Sequence, residues 1–356
     1  MRDITLLAVG DIAFSKRMEK CITKYGSDYF FKKIKLFLSS GDIIFGNLES
    51  PLTNSSIKNS SHYSKLVDDP LLGRRVYLKA SPLVIRSLKA ANFNILSIAN
   101  NHILDYGKKG LIDTINYLSK SRIQTVGAGL NLEFARKPTI LKIKSKKVGF
   151  LAYSYTYEAT KNHHGCAPIW RFIIKQDIKS LKKMVDVVVV SFHYGKEFST
   201  LPSFFQKSIS HFAIDSGADI VLGHHPHVLQ PIEFYKDKII AYSLGNFLFD
   251  PNKYGIFLPK QLLLFTMLSG ILKITIQDDN ALACSFLPIL MDKAFCLKLL
   301  PNSPYMEVSL RKRENANLYF QKFFFLLRVL FLSLIKSNKS NVLLLALRSL
   351  SELNLI

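Results

Sequence analysis

Cysteine is scarce in this chain, and the cysteines present are far apart. Cys21, Cys166, Cys284 and Cys296 form no closely spaced pair. A thiolate metal site and a disulfide framework are therefore both disfavoured, and a reducing compartment fits this pattern best.

Acidic residues are also few. The chain has 26 Asp and Glu against 48 Lys and Arg, which gives a formal net charge of +22. Such a surplus favours an acidic partner, which could be nucleic acid, an anionic membrane surface or another polyanion. Because no motif of interleaved basic and aromatic residues stands out, nucleic acid is the least favoured of these.

Long uninterrupted apolar runs are missing too. The first run, in "MRDITLLAVGD", is too short for a signal peptide or a membrane anchor, so it predicts a strand. Arg328 interrupts the longest apolar stretch near the C-terminus. A membrane-spanning helix is therefore disfavoured, and we expect a protein that is cytoplasmic or peripheral on the membrane.

Strand-like and helix-like patterns alternate along most of the sequence. This alternation predicts an α/β domain over residues 1–295, and two hairpin patterns, at 139–155 and 231–246, indicate mixed sheets. Residues 263–277 and 282–291 are predicted to add further strands. Residues 296–356 are basic and rich in Leu and Phe, which predicts a tail of amphipathic helices. The tail could pack on the domain, bind a partner or lie on an anionic membrane.

Polar residues with metal-binding chemistry follow the predicted strands. Carboxyl ends of strands share one edge of a doubly wound sheet, so residues far apart in sequence can meet there. The residues at these ends are Asp11, Glu49, Asn101, His102, His193, His225 and His227. Carboxylate, imidazole and amide ligands suit Mn, Fe, Zn or Mg, and a carboxylate such as Glu49 can bridge two ions.

The stretch "GHHPH" carries three imidazoles, those of His224, His225 and His227, within five positions. Read singly, each residue also has an ordinary structural explanation as a turn former, a cap or a core histidine. His225 and His227 would project to the same side if their backbone were extended. A second pair, His163 and His164, fits a substrate contact better than a ligand set. The Ser- and Asn-rich segment 50–73 could be a flap over the site or a surface insertion.

Several motifs together resemble one known family. The motifs "FGNLESPLT", "NNHILDYG", "SFHYGKEF", "GADIVLGHHPHVLQPIE" and "YSLGNFLFD" resemble those of the CapA-type capsule-biosynthesis family linked to poly-γ-glutamate. The resemblance covers residues 3 to about 290 and leaves the tail outside. It implies the fold of calcineurin-like metallophosphoesterases, which is a layered α/β/β/α sandwich with mixed sheets.

The resemblance also implies roles for individual residues. One of two divalent ions would be held by Asp11, Glu49 and His227, and the other by Glu49, Asn101, His193 and His225. His102 would protonate a leaving group or bind an oxyanion. The residues that would support the ligands or meet substrate are Asp105, Glu197, His224 and Asn246.

Two departures from the phosphoesterase pattern put phosphoester cleavage in doubt. Ala13 stands where those enzymes have a ligand histidine, so the first ion should bind more weakly, and Glu49 replaces an Asp. The leading hypothesis is a metal-dependent hydrolase or transferase acting on an acidic polymer, such as poly-γ-glutamate, or on its precursor. The alternatives are a non-catalytic polyanion-binding component of a capsule synthesis or export complex, docked to membrane-bound machinery by the tail, and a phosphodiesterase or nuclease.

Overall fold

The computed structural model describes residues 3–59, 76–251 and 260–299. Its larger sheet has the order β16-β15-β14-β1-β2-β3-β4, with β13 also paired to β1. Strands β1 to β4 and β13 run parallel, whereas β14 to β16 are antiparallel additions. The strand bounds are β1 Ile4–Ala13, β2 Ile43–Leu48, β3 Ile95–Ser97, β4 Gln124–Val126, β13 Asn246–Phe249, β14 Leu268–Ile276, β15 Leu282–Met291 and β16 Leu297–Leu299.

The second sheet has the order β11-β12-β10-β9-β7-β6. Its four central strands are parallel, β9 and β10 are buried over their whole length, and β6 and β11 close the edges in antiparallel hairpins. The bounds are β6 Thr139–Ile143, β7 Lys146–Ser154, β9 Val187–His193, β10 Ile220–His224, β11 Leu229–Tyr235 and β12 Lys238–Leu244. A separate small ladder pairs β5 Ala128–Gly129 with β8 Gly165–Cys166.

Helices cover the outer faces of both sheets. The apolar face of α6 and that of α7 pack on Val188, Val190 and Val221 of the second sheet. Between the sheets, Phe45 of β2 stacks on Phe150 of β7 with ring centroids 5.7 Å apart. The predicted layered α/β/β/α sandwich is therefore confirmed. The helix bounds are α1 Lys16–Tyr25, α2 Lys35–Leu38, α3 Ile85–Ala90, α4 Gly107–Lys120, α5 Leu132–Arg136, α6 Arg171–Lys182, α7 Phe204–Asp215 and α8 Lys260–Met267.

Two predicted elements end or begin elsewhere. The predicted strand over 263–277 begins only at Leu268, because the residues before it form α8. The predicted strand before Asn101 and His102 is only three residues long, β3, and a turn that carries these two side chains comes after it.

Some predictions fall on residues that the structure does not describe. The tail beyond 299 and most of the segment 50–73 lie outside the described residues, so both remain predictions. Strand β16, just past residue 295, pairs with β15. Within the described ranges, no helix combines the length and apolar character needed to cross a membrane.

Candidate metal centre

The parallel strands of both sheets have their carboxyl ends at one common edge of the sandwich. Asp11 of β1 lies opposite Asn47 of β2, and Glu49 follows two residues later. In the second sheet, His193 ends β9 and lies opposite His224, which ends β10. The structure therefore brings residues from distant parts of the chain to one edge, as predicted.

Glu49 lies at the middle of the cluster and is fully buried. Its Oε1 is 3.5 Å from Nε2 of His193 and 3.9 Å from Nε2 of His227. Neither carboxylate oxygen receives a hydrogen bond from any described residue. A buried carboxylate without donors is costly unless a cation compensates it, so this arrangement fits a divalent ion.

Asn101, His193 and His225 form one side of the cluster. Nε2 of His193 is 2.8 Å from Oδ1 of Asn101. The rings of His193 and His225 lie 4.8 Å apart. Glu49, His193 and His225 offer ligand atoms within 4.8 Å of one another, so this group could hold a metal ion.

Asp11 and His227 form the other side. Nδ1 of His227 lies 2.9 Å from Oδ1 of Asn246 and 3.4 Å from Oδ2 of Asp11. The Asn246 amide donates from Nδ2 to the carbonyl of Thr266, so its oxygen accepts from Nδ1 and leaves Nε2 of His227 on the Glu49 side. Asp11, Glu49 and His227 form a second group that could hold an ion.

His224 and Glu197 are placed differently from each other. His224 is buried behind Asp11, with Nδ1 3.3 Å from Asp11 Oδ1, an ion-pair distance without hydrogen-bond alignment. The Glu197 carboxylate forms a third group with His225 and His227, again within 4.8 Å. Glu197 therefore lies at ligand distance, closer to the centre than a supporting residue needs to be.

His102 and Asp105 form a hydrogen-bonded pair beside the cluster. Nδ1 of His102 is 2.8 Å from Oδ2 of Asp105, and the same oxygen accepts the backbone N–H of Leu78 at 2.6 Å. This pairing orients the His102 ring and leaves Nε2 as the atom that can meet a substrate.

Two asparagines and one tyrosine were missed by sequence reasoning. Asn47 donates from Nδ2 to Asp11 Oδ1 at 2.8 Å, and the same nitrogen is 3.3 Å from Nδ1 of His193. Asn100 donates to Oδ1 of Asn47 and to the backbone carbonyl of Leu48. Tyr155 places its hydroxyl 2.8 Å from Nε2 of His225. Alternation along the strand would have found Asn47, which shares a face with Glu49.

The backbone at the His-Pro-His motif is not extended, so the condition under which alternation would place both imidazoles on one side is not met. His225 has φ 98° and His227 has φ 59°, so both lie in the left-handed region. Such conformations are unfavourable for residues with a Cβ and persist where the surrounding structure enforces them. The two imidazoles converge because of this turn, which follows the end of β10.

Two other sequence observations can be placed. Ala13 lies in an apolar cluster with Leu78 and Phe249, so the position offers no ligand. His163 and His164 belong to none of the possible metal-ligand groups within the described part of the chain.

The charge states in this cluster follow from burial and proximity. Burial raises the pKa of Glu49 to about 8, opposed by His227 and reinforced by Asp11. Burial, together with His225, holds the pKa of His193 well below its usual value. Burial and His227 lower the pKa of His225 to about 3. His193 and His225 are therefore neutral at physiological pH, which is the state that binds metals.

The pKa values of Asp11, His227 and His102 shift in the direction that favours the charged form of each side chain. Burial opposes ionisation of Asp11, yet the imidazoles of His224 and His227 hold its pKa well below the usual value. Burial also opposes protonation of His227, but Glu49 and Asp11 raise its pKa to about 10. Burial disfavours a charged His102, and the Asp105 carboxylate nevertheless raises its pKa.

Fold and site together define a class: two-sheet α/β proteins with a buried carboxylate–imidazole centre that could hold metal. Residues 5–251 match the family described as "Bacterial capsule synthesis protein PGA_cap", and the chain belongs to that family. The resemblance found in the motifs is thereby confirmed.

Two relatives in Bacillus are similar over most of the chain. The capsule biosynthesis protein CapA of Bacillus anthracis is 34% identical over 255 residues, covering 69% of this chain and 60% of that protein. The PGA biosynthesis protein CapA of Bacillus subtilis is 35% identical over 247 residues, covering 68% and 62%. The chain thus matches less than two thirds of the length of either relative. A solved phosphatase from Mycoplasma pneumoniae aligns with a TM-score of 0.48 and 15% identity, covering 82% of this chain and 94% of that one.

Proposed function

We propose that this protein is a metal-dependent hydrolase or transferase acting on an acidic polymer, such as poly-γ-glutamate, or on its precursor. The observation that carries the proposal is Glu49, whose two buried oxygens lack donors among the described residues and lie between two histidine groups. The names of the Bacillus relatives, which refer to capsule and PGA biosynthesis, support the choice of polymer.

The proposed ligands divide into two sets that share Glu49. Asp11, Glu49 and His227 would hold one divalent ion, and Glu49, Asn101, His193 and His225 the other. The buried unpaired oxygens and the mixture of carboxylate, imidazole and amide atoms fit Mn, Fe, Zn or Mg. Such ions, when bound, supply Lewis-acid activation of a substrate oxygen and of water.

The chain itself would provide proton transfer and orientation. His102 is the proposed proton donor, because Asp105 contacts its Nδ1 and, against the effect of burial, raises its pKa, which favours the protonated ring that can donate from Nε2. Asn47 would fix the side chains of Asp11 and His193 relative to each other, since its amide nitrogen contacts both. Glu197 would either complete the ligand set or orient a substrate.

A neighbouring cleft supports an acidic substrate. It has a volume of about 610 Å³, and its lining combines hydroxyl groups, three basic residues and two acidic ones, which are Lys16, Arg17, Lys79, Glu19 and Asp250. Arg17 pairs with Asp250. Lys79 donates to the carbonyl of Ser55 and lies over the Tyr106 ring, but forms no ion pair with a described carboxylate. Its charge can therefore neutralise a substrate carboxylate, in keeping with the net charge of +22.

The test is metal-dependent turnover. The purified chain would be incubated with poly-γ-glutamate and with short γ-glutamyl peptides, separately with Mn²⁺, Zn²⁺ and Mg²⁺, and products followed by size-exclusion chromatography and amine release. We expect turnover that EDTA abolishes and that His225→Ala removes. His211→Ala is the matched control, because His211 pairs with Glu233 outside the centre. Equal turnover by His225→Ala and the unaltered protein would refute the mechanism.

A non-catalytic role as a polyanion-binding component is the second candidate. Ala13 favours it, because its side chain has no ligand atom for the first ion and packs among Leu78 and Phe249. It would be supported by tight, metal-independent binding of poly-γ-glutamate without release of products. Docking to membrane-bound machinery through the tail remains a prediction for residues beyond 299, and pull-down with and without residues 300–356 tests it.

A further inference from the structure

Tyr155 follows β7 at the same edge of the second sheet as the proposed metal centre. Ser154, the last residue of β7, lies opposite His193, so the next residue emerges beside the histidines. Tyr155 is 40% exposed, but its hydroxyl is 2.8 Å from Nε2 of His225. The two rings are nearly perpendicular, at 80°. Tyr155 therefore connects a partly exposed ring with a buried imidazole.

The two nitrogens of His225 differ in their surroundings. Nε2 contacts Tyr155, whereas Nδ1 is buried and has no hydrogen-bond partner among the residues described. A neutral imidazole carries one proton, on either nitrogen. With the proton on Nε2, that N–H donates to the Tyr155 hydroxyl oxygen and the lone pair of Nδ1 is available. With the proton on Nδ1, a buried N–H has no acceptor, and no cation can satisfy it.

We infer that Tyr155 is a positioning residue that selects the tautomer of His225 and thereby presents Nδ1 as the metal-binding atom. The inference rests on the proposed metal centre. A hydrogen-bond acceptor on the second nitrogen is the usual means by which proteins fix a ligating histidine, and its loss typically weakens metal binding by about 10- to 100-fold. Here the acceptor is the hydroxyl oxygen of the partly exposed Tyr155, and His225 itself has a left-handed backbone conformation, with φ 98°.

The test compares Tyr155→Phe with Tyr153→Phe. Tyr153 lies on β7, two residues before Tyr155, but its hydroxyl contacts Asp177 at 3.1 Å, away from the histidines. The control therefore removes one phenolic hydrogen bond from β7 without touching His225. Zn²⁺ affinity would be measured by isothermal titration calorimetry, and the tautomer of His225 by ¹⁵N NMR of metal-free protein labelled at histidine. The His225 signal is identified by its absence in His225→Gln.

We expect the unaltered protein and Tyr153→Phe to carry the proton on Nε2 and to bind Zn²⁺ alike. Tyr155→Phe should show a mixture of tautomers and bind Zn²⁺ about 10- to 100-fold more weakly. Zn²⁺ affinity of Tyr155→Phe within twofold of the control would overturn the role of Tyr155 and leave the metal centre standing. A proton on Nδ1 in the unaltered protein would overturn it even if the variant failed to fold. Absence of Zn²⁺ binding by the unaltered protein would overturn both proposals.

Discussion

Replacing Glu49 with Gln should change how the stability of the metal-free protein depends on pH. The folded pKa of Glu49 is raised from 4.5 to about 8 because the carboxyl is buried. Between these values the unfolded chain ionises while the folded protein keeps the proton, so stability falls as pH rises. At about 1.4 kcal/mol for each unit of pKa, the whole effect is about 5 kcal/mol above pH 8.

The interval from pH 5 to 6.5 isolates Glu49. His227, whose folded pKa is raised to about 10, stays protonated there in the folded state, and its titration in the unfolded state is the same in both proteins and cancels in the comparison. Over this interval the unaltered protein should lose about 2 kcal/mol relative to Glu49→Gln. Burying the Gln amide costs a free energy that does not depend on pH. It therefore shifts the plot of unfolding free energy against pH without changing its slope.

Urea unfolding in EDTA at several pH values measures this difference. Glu133→Gln, the same substitution at an exposed position on α5, should follow the unaltered protein. If the curves for Glu49→Gln and the unaltered protein run parallel from pH 5 to 6.5, Glu49 is not a buried carboxyl with a raised pKa, and the electrostatic argument for a cation beside it fails.

Three further predictions concern neighbouring features. Asp105→Asn should lower the pKa of His102, because the carboxylate that favours its protonated form is removed. A ¹⁵N NMR titration of the metal-free protein measures this pKa, and an unchanged value would contradict the prediction. Gly223→Ala should lower the free energy of unfolding in urea by about 2–3 kcal/mol, because the added Cβ would lie 2.0 Å from the Tyr242 carbonyl oxygen. Wild-type stability would show that β10 and β12 can separate there without loss. Lys79→Gln should weaken binding of poly-γ-glutamate by about two- to fivefold at low salt and less at high salt; fluorescence anisotropy measures it, and Lys142→Gln, on an exposed part of β6, should have no effect.

Much of the site could be predicted because its residues follow strands with clear patterns. "DVVVVSFH" and "ADIVLGH" predict buried parallel strands, and the rule that their carboxyl ends share an edge brings His193 and His225 together. The same rule applies to Tyr155 after β7, but one tyrosine after an apolar strand carries no ligand chemistry to draw attention to it.

Other parts depend on tertiary structure that no local pattern reveals. Strand β13 is four residues long and pairs with β1, more than 200 positions away. Helix α8 has an apolar sequence without clear periodicity, which a strand prediction fits equally well. The turn at His225 needs a positive φ that local propensity disfavours, so it follows from the surrounding packing.

The position of Glu49 between the two sheets has a consequence for folding. Glu49 follows a strand of the larger sheet, whereas His193 and His225 belong to the second sheet, and the contact between Phe45 and Phe150 joins the same two layers. A cation bound by these three residues would link the two sheets of the sandwich. The affinity for the cation would then depend on the distance between the two sheets. Removing the cation with a chelator would weaken the contact between the sheets and speed proteolysis at that edge.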